Sequence, residues 1–356
     1  ISESDDAARS LVNISAVYDI SSMCERLQGR EEALAISTSL CTTSVVTEDV
    51  LFDVGTLQGQ PRSSAISPDE LSRVFGIDRQ TAKATLRVTS QRIRRADNPS
   101  LSRNYSTNDR MLRYRRLRRD FYMDTFFAGA DSSEGWDGRS TRGFKSVQLF
   151  VSDTGYLFGV LMKTLEEIPE AISQFLRDVG APDVLVADAH SSHQSMTVKR
   201  LLSRAGTRLR LLEEGTPWSN KAELYVGLLK GSVVKDMNRS NSPKVFWDYC
   251  TVRRIKIHNK IASKITRLEG QTPHFDTFGE EPDISREAQF EWYEFCYFYD
   301  KSSKFPSPHE VLGRVLGPAE NAGNEMAMWI LKSNGEVVAR QSLRRLTEAE
   351  VNSSTE

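Results

Sequence analysis

The order of elements read along the chain predicts an α/β fold, with a small helical unit ahead of it and a small β unit behind. Three observations carry that expectation. Helix-capping signals frame two short helices within residues 66–90. From Arg119 onward, apolar runs of strand and helix period follow one another as a three-stranded meander and then αβαβα. Near the C-terminal end, Asn334-Gly335 between Trp329-Ile330-Leu331 and Val337-Val338 is the strongest hairpin signal in the chain.

The helical unit is read from its caps. Ser67-Pro68-Asp69-Glu70 sets a capping Ser, a Pro at the first helical position and a Glu three residues after the cap. Leu71, Val74 and Phe75 give this helix its apolar stripe, Gly76 ends it, and Asp78 caps a second helix running to about Thr89. On that second helix Arg79, Lys83 and Arg87 recur every four residues and share one face, while Ala82 and Leu86 face the first helix. The pair therefore reads as a helix-turn-helix whose second helix meets DNA phosphates; a small helical bundle with a basic solvent face is the alternative.

In the central unit the strands are Phe121 to Asp124, Val147 to Val151 and Tyr156 to Leu161, the last two joined by the turn residues Asp153-Thr154-Gly155. Ile168, Ile172, Phe175, Leu176 and Val179 follow at helical spacing, closed by Gly180-Ala181-Pro182. A short buried strand, Val184 to Ala187, runs into Asp188. A helix over 195–205, a strand over 208–212 and a helix from about Asn220 to Met237 complete the unit. Beyond Pro243, Val245 to Ile265 reads as one more helix, and the aromatic string Phe290 to Tyr299 alternates as strands would.

Two of these strands each deliver an acid, Asp124 within the first and Asp188 at the end of the fourth. If the strands are neighbours, the carboxylates converge. Glu223 lies early on the helix that follows, with 34 residues between it and Asp188, room for one αβ step that returns to the same strand end. Three hard oxygen donors on separate elements suit two Mg²⁺ (or Mn²⁺) ions roughly 3.5–4 Å apart, the arrangement that activates a hydroxyl and stabilises the leaving oxygen of a phosphodiester.

Tyr122-Met123-Asp124-Thr125-Phe126, Leu185-Val186-Ala187-Asp188 and Trp218-Ser219-Asn220-Lys221-Ala222-Glu223 together resemble the DDE core of retroelement integrases, in particular those of copia-type LTR retrotransposons. The tail, with Leu312 to Pro318, Trp329-Ile330-Leu331 and Val337 to Arg340, resembles the small β-barrel that closes such integrases. The resemblance implies a ribonuclease H-like mixed-sheet catalytic core, preceded by the helix-turn-helix and followed by the barrel. It also implies Mg-dependent trimming of cDNA ends and their joining to target DNA, with Asp124, Asp188 and Glu223 as catalytic metal ligands. Element cDNA ends and target DNA would be the partners, a homo-multimer the working form, and nucleus and cytoplasmic virus-like particles the places of action. The family's usual His2Cys2 zinc module is absent, and the helix-turn-helix stands in its place. An inactive or domesticated DNA-binding protein that keeps the fold is the rival reading.

The expected divisions are an acidic segment over 1–60, the helix-turn-helix with a basic linker over 61–115, the core over 116–268, a connector over 269–304 and the barrel over 305–350. Charge follows them. Residues 1–61 hold ten acids against three arginines, whereas 79–119 hold thirteen cations, twelve of them Arg, against two acids. Arg pairs two phosphate oxygens at once, so this block points to nucleic acid, ahead of a solvated face or a partner for the acidic segment. Besides Arg79, Lys83 and Arg87, the expected DNA contacts are Asn220, Lys221 and Lys230, with Trp218 as a candidate base-stacker and His190 and His193 nearby. Arg314, Arg340, Arg344 and Arg345 are candidates in the barrel, or ordinary surface charge.

The 356 residues suit two or three folded units, and 47 basic side chains against 48 acidic ones leave a net charge of −1. No apolar run approaches the roughly 20 residues of a membrane span. Four widely spaced cysteines without a CxxC point away from disulfides and zinc ribbons. The start at Ile1, with neither Met nor an apolar leader, reads as a piece of a longer polyprotein, whose other parts are possible partners.

Overall fold

The computed structural model describes residues 65–91, 114–130, 135–188, 193–212, 220–300, 306, 308–320, 322, 326–347 and 350–351. The acidic segment over 1–60, most of the Arg-rich block, His190, Trp218, Cys24 and Cys41 lie outside the described residues.

Helices α1 (Pro68–Phe75) and α2 (Arg79–Arg87) open the described chain. Their caps are those read from the sequence: the Ser67 side chain accepts from the Glu70 amide, Gly76 is left-handed at φ 65°, and Asp78 accepts from the Thr81 amide. The central sheet follows with β1 (Arg116–Phe127), β2 (Ser146–Ser152), β3 (Leu157–Met162), α3 (Ile168–Asp178), β4 (Ala181–Asp188), α4 (Met196–Ala205) and β5 (Arg208–Leu212). Strand order is β3-β2-β1-β4-β5, with β2 antiparallel to both neighbours and β1, β4 and β5 mutually parallel. That is the ribonuclease H-like mixed sheet the sequence led one to expect.

Both faces of this sheet are covered. Phe121 and Met123 of β1, Phe150 of β2 and Leu185 of β4 pack against Ile172, Phe175 and Leu176 of α3 and Val198 and Leu202 of α4. On the other face, Phe126, Val147, Leu149 and Val151 meet α5 (Lys221–Ser240) through Ala222, Val226 and Leu229, and α6 (Trp247–Lys260) through Cys250 and Ile255. Strand β2 is buried at every position, so its apolar residues Val147, Leu149, Phe150 and Val151 serve both faces of the sheet instead of alternating with exposed ones.

Helix α6 stops short of the expected Ile265. Ile261 turns extended, and the Ala262 amide donates to Thr85 Oγ1 of α2, so the chain exchanges helical hydrogen bonding for a contact with the helical unit. After α7 (Pro273–Phe278), a second sheet is built from β6 (Phe295–Tyr299), β7 (Glu310–Pro318), β8 (Met328–Lys332), β9 (Val337–Arg340) and β10 (Leu343–Arg345). It is antiparallel, in the order β10-β6-β7-β8-β9, around Phe290, Cys296, Phe298, Val315 and Ile330. Where the tail was expected to form a small β-barrel there is this antiparallel sheet, whose edge strands β10 and β9 do not pair with each other among the described residues, and its first strand comes from the segment expected as connector. The aromatic string does not alternate throughout, because Tyr293 at φ 61° breaks the strand period and extended pairing begins at Phe295. The hairpin read from Asn334-Gly335 joins β8 to β9, with Gly335 at φ 84°.

One buried ionic group ties the helical unit to the core. Asp236 of α5 pairs with Arg253 and Arg254 of α6; Arg253 also donates to the carbonyls of Val74 and Phe290, and Arg254 to that of Phe75. The apolar cluster beside it joins Leu71, Val74, Phe75 and Ala82 to Ile257, Ile284 and Ala288. Asp236→Ala leaves two buried guanidiniums without their carboxylate, so we expect a loss of about 3–5 kcal/mol. Urea unfolding of the full chain measures it, and a change near zero would mean the group is not holding these elements together.

Candidate active site

Strand β1 is central, and its alternation decides where its acid points. Phe121 and Met123 enter the core under α3, so Tyr122, Asp124 and Phe126 face α5. In the parallel pairing of β1 with β4, Tyr122 lies opposite Val186 and Met123 opposite Ala187. Asp124 and Asp188 are therefore the next residues on two adjacent strands, on the same face of the sheet. Just past that last registered pair, the Thr125 amide donates to Asp124 Oδ1 at 2.7 Å.

The third acid is brought in by a helix cap. Asn220 Oδ1 accepts from the Ala222 amide at 3.0 Å, while its Nδ2 donates to Asp188 Oδ1 at 2.9 Å. This single buried side chain fastens the start of α5 to the end of β4. With Ala222 and Val226 turned into the core, Glu223 stands exposed in the first helical turn, where unpaired amides favour a carboxylate.

Burial holds the Asp124 carboxyl above the usual carboxylate range; the Thr125 amide opposes the shift, the charges of Asp188 and Glu223 add to it, and Lys230 opposes it weakly. Asp124 thus feels the charge of both other acids. In this structure no three His, Cys, Asp or Glu side chains among the described residues are gathered closely enough to share one ion. The donor set nevertheless fits a hard divalent cation, being all oxygen and mutually repelling, a repulsion such an ion relieves. Asp124, Asp188 and Glu223 are the residues that could hold it.

Of the six side chains expected on DNA, five are exposed. Arg79, Lys83 and Arg87 line the outer face of α2, with Arg79 paired to Asp69 at 2.8 Å. Lys221 lies 5.6 Å from the Tyr122 ring centre and donates to the Asp153 carbonyl, and Lys230 lies 5.2 Å from the Phe126 ring centre. Asn220 departs from the expectation: it is 3% exposed and its amide is committed to Ala222 and Asp188, so it organises the acids and is not open to DNA.

In the second sheet, the guanidiniums are engaged internally. Arg314 lies 3.6 Å from the Phe295 ring centre, Arg340 approaches Asp300, Arg344 pairs with Glu310 and Glu350, and Arg345 with Glu70 and Glu294. Sequence reasoning passed over Thr125 and Gln148 beneath Asp124; the available signal was a Gln inside the apolar run of β2.

Fold and site together define a mixed α/β protein of ribonuclease H-like architecture with an acidic centre at the ends of its central parallel strands. No protein-family model and no curated protein matches the sequence. Among solved structures, the chain is similar to one from the cryo-EM structure of the simian T-cell lymphotropic virus intasome in complex with PP2A regulatory subunit B56 gamma. That match has 13% identity, covers 79% of this chain and 99% of the other, and has a TM-score of 0.40. It is also similar to the HTLV-2 integrase catalytic core domain in complex with magnesium, at 15% identity over 46% of this chain and 99% of the other, with a TM-score of 0.34.

A carboxyl whose pKa is raised on folding binds its proton more tightly in the native state, so its contribution to stability falls as pH rises through the window between its unfolded and folded values. Asp124→Asn removes that burden. We expect the variant to melt higher than wild type at neutral pH in chelator, with the gain vanishing as pH is lowered below the ordinary Asp range. Thermal unfolding between pH 3 and 8 checks it; a lower melting temperature at pH 7 would mean the carboxylate is stabilising instead.

Proposed function

We propose that this chain is the integrase of a copia-type LTR retrotransposon, trimming the 3′ ends of element cDNA and joining them to target DNA. The observation that carries the reading is the convergence of Asp124 and Asp188, from adjacent parallel strands, with Glu223 from the helix that Asn220 ties to Asp188. The Asn-Lys-Ala-Glu segment at the start of that helix, which resembles retroelement integrases, supports the same reading.

The three carboxylates would hold two Mg²⁺ or Mn²⁺ ions. When bound, such ions lower the pKa of a hydroxyl and neutralise charge on the reacting phosphodiester. The protein's own part is positioning. Lys221 and Lys230, on the α5 surface beside the acids, would fix the phosphates of the cDNA end, and Arg79, Lys83 and Arg87 would grip its backbone further along. In trimming, water attacks a phosphodiester near the 3′ end; in joining, the freed 3′-hydroxyl attacks a target phosphodiester in line, one P–O bond forming as another breaks. Two cDNA ends inserted together call for more than one copy of the chain, so a homo-multimer is part of the proposal.

The test is a joining assay with a labelled duplex bearing the element's terminal sequence, in Mg²⁺ and in Mn²⁺. Wild type should give products longer than the input, and Glu223→Gln should abolish them while DNA affinity stays within about threefold, since a ligand to the reacting centre acts mainly on the chemical step. No products from wild type in either metal, with DNA binding retained, would favour a non-catalytic DNA-binding protein. Affinity for any duplex should also fall steeply with salt, and Lys230→Ala should reduce the salt slope by about one counterion.

A further inference from the structure

A fully buried glutamine lies beneath the acidic centre, in a strand whose other side chains are mainly apolar. Gln148 stands opposite Thr125 in the pairing of β2 with β1, on the face of the sheet away from the Asp124 carboxylate. An amide buried there is unfavourable unless both of its ends find partners. Both do. Gln148 Oε1 accepts from Thr125 Oγ1 at 2.6 Å, and Gln148 Nε2 donates to the backbone carbonyl of Asp124 at 3.2 Å. The buried His193, from the segment after β4, brings Nε2 to 3.4 Å from the same Thr125 hydroxyl.

These contacts grip the end of β1 from below at two successive residues. The carbonyl of Asp124 and the side chain of Thr125 are held from one side, while the Thr125 amide holds the Asp124 carboxylate on the other. The point of attachment is where β1 has lost its registered partner in β4, whose pairing with β1 ends at Met123 and Ala187. Without this grip, the backbone of the strand carrying the first acid would be held there only by its ladder with β2.

We propose that Gln148, acting through Thr125, is a positioning residue that fixes the Asp124 carboxylate relative to Asp188 and Glu223. The inference rests on the reading of those three acids as a divalent-cation site. Gln148→Met keeps length and apolar packing but removes both hydrogen bonds; Thr125→Val removes the hydroxyl at nearly constant shape; Thr125→Ser restores it.

The experiment is titration of the full-length chain with Mn²⁺ alone, followed by calorimetry, with circular dichroism and melting temperature recorded for each variant. Gln148→Met and Thr125→Val should weaken Mn²⁺ binding about tenfold or more, as loss of groups that orient a ligand does, whereas Thr125→Ser should stay within about threefold of wild type. If Gln148→Met does not fold, the Thr125 pair decides, since Val is well suited to a strand. Mn²⁺ uptake that is lost in Asp124→Asn but unchanged in folded Gln148→Met and Thr125→Val would overturn the positioning role alone. A wild type that takes up no Mn²⁺ would overturn the cation-site reading and this proposal with it. Equal losses in Thr125→Ser and Thr125→Val would also overturn it, because the hydroxyl would then not be the operative group.

Discussion

Much of this structure depends on one carboxylate shared by two buried arginines. Asp236 lies on the same helix as Glu223, and Arg253 and Arg254 are consecutive on the helix packed beside it. Burying three charges is unfavourable unless their hydrogen bonds are all answered. Here the remaining guanidinium donors meet the carbonyls of Val74 and Phe75, which close α1, and that of Phe290, which leads into the second sheet. The last carbonyls of a helix lack partners within it and sit at its negative end, so a cation is the natural cap. An apolar replacement would fill the space and leave those carbonyls bare. The ionic group therefore does what packing could not: it joins α5, α6, the helical unit and the approach to the second sheet at one point.

Helix α5 is held at both ends. Asn220 fastens its start to Asp188, and Asp236 fastens it about 24 Å further along, at 1.5 Å rise per residue. Glu223 lies between, close to the first of these anchors. A helix pinned in this way cannot turn about its axis without breaking a buried hydrogen bond, so the third acid is kept on the side of the first two. The result is a centre with a built-in electrostatic conflict. Asp124 is driven toward its protonated form by burial and by its two acidic neighbours, against the Thr125 amide and, more weakly, Lys230. Such conflict is expected where a site is shaped for a ligand the protein does not itself contain.

What the sequence disclosed, it disclosed through local chemistry. The caps at Ser67 and Asp78, the Gly76 turn and the Asn334-Gly335 hairpin each follow from a residue's own conformational preference, and the structure has them where they were read. The elements that carry the acids were legible for a related reason: Asp124 falls within one strand run, Asp188 at the end of another and Glu223 just after a helix cap. Choices of partner were not legible. Nothing local says that Arg254 will close α1, that Arg344 and Arg345 will be occupied by Glu310 and Glu70, or that the amide of Asn220 will face Asp188 and not DNA. The end of α6 was misjudged because its apolar pattern continues past Lys260, whereas the chain is drawn away by Thr85, a residue 177 positions earlier. Tyr293 misled in the same way, since its aromatic character fits a strand while its backbone is left-handed.

Helix α6 explains why these long-range choices agree with one another. Ile255 packs on Gly159 of β3, where a larger residue would collide with it, and Asn259 both donates to and accepts from the backbone of Leu157. Ile257 enters the cluster of the helical unit, and Lys260 pairs with the buried Glu287, whose carboxyl the surrounding cations hold down at about 2. At the other end, Tyr249 meets Trp329 of the second sheet edge to face, while Arg142 lies 3.8 Å from the Tyr249 ring centre and pairs with buried Asp248. A single helix thus touches the central sheet, the helical unit, the connector and the second sheet. None of the three acids lies on it. Contacts run from α6 toward the acids by two routes, through Asp236 and α5, and through β3 and β2 to β1, where Gln148 donates to the Asp124 carbonyl.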